Sequence, residues 1–135
     1  MRITHFILAL GVSIISASTY AQCSMYEVPL ASRTQAAQTI FEGKVLSQTC
    51  FWNDAHNFIY TANTLEVYKV FKGTTGNTVV LITEGGIIGN EKHVLEPSLE
   101  LEPGETGVFF TENSLPLNAA YTANALRPYA SAQGF

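Results

Sequence analysis

The chain has 135 residues, with seven Lys and Arg against 11 Asp and Glu, and a formal net charge of −4 at pH 7. That length makes one domain with a single core. The positive charges stand scattered, so the clustered Lys and Arg that displace counterions from nucleic acid are missing, and nucleic acid is not expected as a partner.

The chain opens with MRITHFILALGVSIISASTYAQC. Arg2 supplies a short basic region, and the apolar run from Phe6 to Ile15 is too short for a permanent membrane helix. Thr19, Tyr20 and Ala21 then set small residues where a signal peptidase reads. Residues 1–21 therefore read as a secretory signal peptide, cut before Gln22. Gln22 in front of Cys23 argues against a lipid anchor. Removing 21 of 135 residues leaves 114, with six basic residues against 11 acidic. No second apolar run is long enough to span a membrane. Cys23 and Cys50 are the two cysteines, and an even count in an oxidising compartment favours a disulfide between them. Two separate buried thiols are the alternative.

ASRTQAAQT, residues 31–39, predicts a helix of about two turns, with Ser32 as its cap. IFEGKVLSQTCFWN, residues 40–53, alternates as a half-buried strand. Phe41, Gly43, Val45 and Ser47 fall on one face, and Glu42, Lys44 and Gln48 on the other. NDAHN, residues 53–57, reads as a turn. Residues 59–71 predict one long strand at the centre of a barrel, with Ile59, Thr61, Leu65 and Val67 in one phase and Leu65 and Val67 inside. Val70 takes the other phase, which a bulge or bend would produce. At the end of that strand Lys72 is expected in water, and Gly73 and Gly76 are expected to make the turn.

TVVLIT, residues 78–83, is apolar on both faces, as a central strand would be. EGGIIGN reads as a glycine-rich connection, and KHVLEP and SLELEP as two short extended pieces. PGET turns the chain into GVFFTE, a last strong strand. From residue 114 onward two prolines and no clear period predict an irregular tail, with room for a short strand. The expected organisation is a signal peptide over 1–21, a barrel domain over 22–113 and an irregular segment over 114–135, which reads as the start of a missing region.

Catalysis needs a constellation, and none stands out. His56 and His93 have no zinc spacing and read as exposed turn and strand residues. Asp54 reads as a turn residue. Glu96, Glu100, Glu102 and Glu105 alternate with leucines as a wet strand face and lack the tight loop of a calcium site. GGIIG is followed by a strand pattern, where a phosphate loop needs a helix. No cofactor or metal is expected, and an enzyme is not expected. The aromatic residues Phe51, Trp52, Phe58 and Tyr60 around the first hairpin are mostly core in so small a domain. Trp52 beside the turn is the candidate anchor for a protein or glycan partner.

Four stretches, AAQTIFEGKVLSQTCFWND, IYTANTLEVYKVFKG, TVVLITEGG and LEPGETGVFF, carry a resemblance over roughly residues 23–112. The chain is similar to the N-terminal modules of large Bacteroidetes surface proteins exported by the type IX system. It also resembles the netrin-like domain of tissue inhibitors of metalloproteinases. The resemblance implies an all-β, five- to six-stranded OB-like barrel with a short N-terminal helix, in a secreted or cell-surface protein that is not itself catalytic. Those inhibitors present a free N-terminal cysteine amine to a catalytic zinc, whereas here Gln22 would precede Cys23. Three functions follow as expectations: a partner-binding module or N-terminal domain of a larger surface protein, an inhibitor of the netrin type, and a glycan- or small-molecule-binding barrel.

Overall fold

A computed structural model of the chain describes residues 25–121 and 125–135. The expected signal peptide lies outside the described residues. So does Cys23, and with it the expected disulfide to Cys50. In chain order come α1 (Leu30–Ala36), β1 (Thr39–Trp52), β2 (Ile59–Lys72), β3 (Thr78–Glu84), β4 (Gly86–Ile88), β5 (Glu91–His93), β6 (Thr106–Asn113) and β7 (Ala125–Pro128). Short 3₁₀ turns lie at Ala119–Tyr121 and Ser131–Gly134.

Five strands close a barrel in the order β1-β2-β3-β7-β6, and β4 and β5 pair as a separate two-stranded sheet. The β3–β7 pair is parallel, and the other barrel pairs are antiparallel. This is the small all-β, OB-like barrel with a short N-terminal helix that the sequence predicts.

β1 and β2 build most of the wall. Phe41, Gly43 and Val45 face inward, and Phe41 and Val45 are fully buried. Leu46 is then an extra residue, because Val45 pairs with Leu65 and Ser47 with Thr64. A bulge of this kind exchanges the faces of a strand. Gln48 therefore turns inward, where its Nε2 donates to Asn63 Oδ1 at 2.8 Å and to the Leu101 carbonyl at 2.5 Å. Ser47 is exposed. The expected inner and outer faces of this strand thus hold up to Val45 and are exchanged beyond it.

On β2 the expected phase is correct. Ile59, Asn63 and Leu65 are fully buried, and Val67 packs against the inner core. Two more bulges, at Tyr68 and Phe71, come where Glu42 pairs with Lys69 and Gly43 with Val67, and where Ile40 pairs with Lys72 and Phe41 with Val70. They bend the strand where the sequence changes phase, and they leave Tyr68 and Phe71 half in solvent.

The core has two main layers. Inside the barrel Phe41, Val45, Leu65, Val79, Leu81, Leu99, Leu101, Phe109 and Leu126 pack together, with the Phe41 and Phe109 rings 5.4 Å apart. Each such side chain contributes about 1.5–3 kcal/mol on leaving water. Outside the wall Phe51, Ala62, Ile82 and Ala125 pack beneath Leu117 and Tyr121. β3 serves both layers, which is why TVVLIT is apolar on both faces. SLELEP forms no strand, yet its alternation is real: Leu99 and Leu101 plug the barrel while Glu100 and Glu102 stay exposed. EGGIIGN is more than a connection, since Gly86–Ile88 pairs with Glu91–His93 as a small hairpin.

Two expectations near the helix are corrected. Ser32 does not cap α1; Pro29 is the N-cap and makes no side-chain cap bond. The helix begins at Leu30, so Ser32 already lies within its first turn. Nor does Lys72 simply sit in water. Its Nζ donates to the carbonyls of Thr34 at 2.9 Å and Gln35 at 2.7 Å. A cation on the last turn of a helix meets the negative end of the dipole, worth about 0.3–1 kcal/mol at a surface. Gly73, at φ +77, makes the expected turn and lets the Gln38 carbonyl pass within 2.7 Å of where a Cβ would stand. The Lys-Gly pair therefore ties the end of β2 to the helix.

The barrel does not end at residue 113. β7 lies between β3 and β6, so the closing strand belongs to the segment expected to be irregular. Beyond it Gln133 joins the two ends of the described chain. Its Oε1 accepts the Val28 N–H at 2.7 Å, its Nε2 donates to the Tyr26 carbonyl at 2.8 Å, and its own carbonyl accepts Arg33 Nη1 at 2.5 Å. The Phe135 ring rests on Gly107 and lies 4.9 Å from the Phe109 ring.

Candidate binding site at the open end of the barrel

Beyond the bulge at Leu46, β1 and β2 stay paired as a ribbon up to Trp52 and Ile59, with β3 alongside β2 as far as Tyr60 and Glu84. The turn that joins them is built by Asn53, as its sequence predicts. Asn53 Oδ1 accepts the N–H groups of Asn57 at 3.1 Å and Phe58 at 3.2 Å. His56 there takes φ +52, a conformation that few non-glycine residues adopt.

The aromatic residues predicted as a candidate site fall into two groups. Phe51 is buried on the outer layer, with its ring 4.3 Å from Tyr121 and 6.0 Å from Tyr60. It is core. Trp52, Phe58 and Tyr60 are half-buried. Phe58 bridges the groups, 5.1 Å from Tyr60 and 5.2 Å from His93. Trp52 has the His56 ring stacked at 6.0 Å and the His93 ring edge-on at 5.3 Å.

The two histidines, which no sequence spacing joins, therefore both pack against one indole. His93 is not free in solvent: its Nδ1 accepts the Ile59 N–H at 3.2 Å. Two imidazoles are too few for a metal centre. Among the described residues no group of three or more His, Cys, Asp and Glu is placed to hold a metal ion.

Below this cluster lies a cleft of about 350 Å³. Its lining includes Gln48, Cys50 and Thr61 of the two strands, the exposed Ile87, Val94 and Leu95, and the buried Leu99 and Leu101. Two glycines shape it. A Cβ on Gly86 would stand 2.8 Å from both Cys50 Sγ and Thr61 Oγ1, and φ there is +148. Gly86 thus lets the β4–β5 hairpin lie directly against the ribbon. Thr61 Oγ1 donates to the Gly85 carbonyl at 2.8 Å and fixes the hairpin in place. Asn63 satisfies the buried polar end of the barrel, with Nδ2 donating to Leu81 O at 2.9 Å and Thr83 Oγ1 at 3.1 Å. The sequence signal for this cleft was present in Gly85-Gly86 and in the Leu99, Leu101 alternation. Neither says that the two stretches face each other.

Tyr60 has a displaced titration. Burial raises its phenol above the ordinary value of 10.0, and Glu84, its cross-strand neighbour, raises it further. An acid whose folded value is raised contributes stability in full below the unfolded value. That contribution is lost as pH rises, since the unfolded chain releases the proton first. Stability is therefore expected to be flat in this respect up to about pH 10 and to fall above it. Near-ultraviolet titration of the folded protein should show a tyrosine that ionises above 10.0 and is lost in Tyr60→Phe. Glu84→Gln should bring it back towards 10.0. Simultaneous ionisation of all tyrosines would contradict this environment.

No family model matches the chain, and no curated protein matches it.

Proposed function

We propose that this chain is an exported, non-catalytic OB-like module that binds a partner protein or forms the N-terminal domain of a larger surface protein. The observation that carries this reading is the open cleft beneath Trp52 and Phe58, with apolar groups in its lining. Ile87, Val94 and Leu95 stand 58%, 51% and 43% exposed around it. Contiguous exposed apolar surface of this kind is characteristic of interaction sites. Export rests on the signal-peptide pattern of residues 1–21.

The test is photo-crosslinking of the exported protein, expected to begin at Gln22, from the cells that make it. A photoreactive phenylalanine at Ile87, on the cleft rim, should give one discrete adduct. The same group at Thr74, in the turn at the other end of β2, should not. Equal patterns from both positions, or no adduct from Ile87, would end the partner-binding reading.

A second reading, a small-molecule barrel, is favoured by the cleft volume, which falls within the range of ligand pockets. A glycan stacked on Trp52 is less well supported, because His56 and His93 already pack against the indole.

A further inference from the structure

β1 has an edge that no other described strand covers. It pairs with β6 from Thr39 to Lys44, and the Val45 N–H and carbonyl are then taken by Glu105 and Gly104. At the far end the Leu117 carbonyl accepts the Asp54 N–H and Asn118 Nδ2 donates to the Trp52 carbonyl. Between these two closures, residues 47–51 pair with β2 on one side and Leu46 is the bulged residue. On the other side no described strand pairs with them. The gap is about 20 Å long at ~3.3 Å per residue. Leu46, Ser47, Gln48 and Thr49 are exposed in succession.

Proteins protect such edges with charges, prolines or bulges. Here LSQTCFW carries no charge and no proline, and its single bulge sits at the end nearest Val45. The edge also runs along the cleft, for Gln48 and Cys50 belong to both. A strand laid against β1 would continue the line that β6 leaves at Val45 and would lie beside the cleft. The charged groups of the cleft wall are Glu84 and Glu100 against Lys92, so an acidic occupant is disfavoured.

We propose that the partner docks by adding an extended, non-acidic segment, with apolar side chains at alternate positions, as an antiparallel strand to residues 46–51 of β1. The proposal rests on the partner-binding reading above. Main-chain hydrogen bonds supply affinity in this mode, and the pocket beside the edge supplies specificity.

The probe is a synthetic peptide of alternating threonine and valine with a lysine at each end, added to the exported protein. Amide hydrogen exchange of alternate residues within 46–51 should slow by about tenfold or more. A twin peptide with alternate amides N-methylated should give no protection, and one with aspartate in place of valine should bind at least about tenfold more weakly. Unchanged exchange at 46–51 at the solubility limit of the first peptide overturns the proposal. So does protection of these amides without peptide in a particle of dimer mass, since the occupant would then be a second copy. If the adduct at Ile87 forms while exchange at 46–51 is unaffected by the captured partner, strand addition fails and the partner-binding reading stands.

Discussion

Leu65→Ala is expected to lower stability by about 2–5 kcal/mol, the range of a buried leucine truncation. Leu65 is fully buried at the centre of the inner core, opposite Val45 on one side and Val79 on the other. All three belong to strands held by ladders of hydrogen bonds, so the wall cannot collapse into the space left behind. Thr64, one residue away, lies on the outer face and is half-buried. Thr64→Ala should change stability by less than about 1 kcal/mol. Denaturant melts of the two variants decide the matter. Equal losses would mean that the register of β2 is shifted by one residue, because such a shift exchanges inner and outer faces.

The second large effect is expected from adding a single methyl group. Gly43 sits where β1 is pinched between β2 and β6, paired with Val67 and Gly107. A Cβ there would stand 2.5 Å from the Glu66 carbonyl oxygen and 3.2 Å from the Phe41 ring. A carbonyl in a sheet cannot swing aside as a flexible side chain can, and the ring is locked against Phe109. Gly43→Ala should therefore destabilise by about 1–3 kcal/mol, as overpacking of a filled core does. Gly76→Ala is the control. Its Cβ would meet only the Thr78 carbonyl, at an ordinary 3.6 Å, and its effect should stay within about 0.5 kcal/mol. Equal melting temperatures for Gly43→Ala and the parent protein would show that the strand pair is looser than drawn.

Much of the barrel was legible because period-two alternation is a local signal. Phe41, Gly43 and Val45 announce an inner face, and the change of phase before Val70 announces a bend. The bulge at Leu46 was not legible. The residues around it are Ser, Gln, Thr and Cys, which belong equally well on either face, so alternation carries no information there. A short strand was allowed for after residue 113, but the place of β7 as the closing strand was missed for a different reason. Four residues closed by Pro128 have almost no local signature, and their place is set by β3 and β6, which lie far away in sequence. The meeting of His56 and His93 at Trp52 is of the same kind. It depends on how the β4–β5 hairpin is laid against the ribbon, and Gly86 permits that approach without naming its target. Of the predicted aromatic site, Trp52 and Phe58 contact His93 of the cleft, while Phe51 and Tyr60 belong to the outer layer.

The position of β7 also fixes an order of events during synthesis. β1, β2 and β3 form an antiparallel meander that can assemble as soon as Glu84 is available, but its last strand then has an unpaired edge along Val80 and Leu81. The partner for that edge is Ala125–Leu126, 41 residues later, as 125 minus 84 gives. At about 5–20 residues per second, translation leaves the β3 edge open for roughly 2–8 s. An apolar strand edge exposed for that long can recruit the same edge of a neighbouring nascent chain. A ribosome-bound chain paused just before residue 125 should therefore be protease-sensitive and prone to association. Lengthening it until Ala125–Pro128 have emerged from the ribosome should allow the barrel to close and remove the edge.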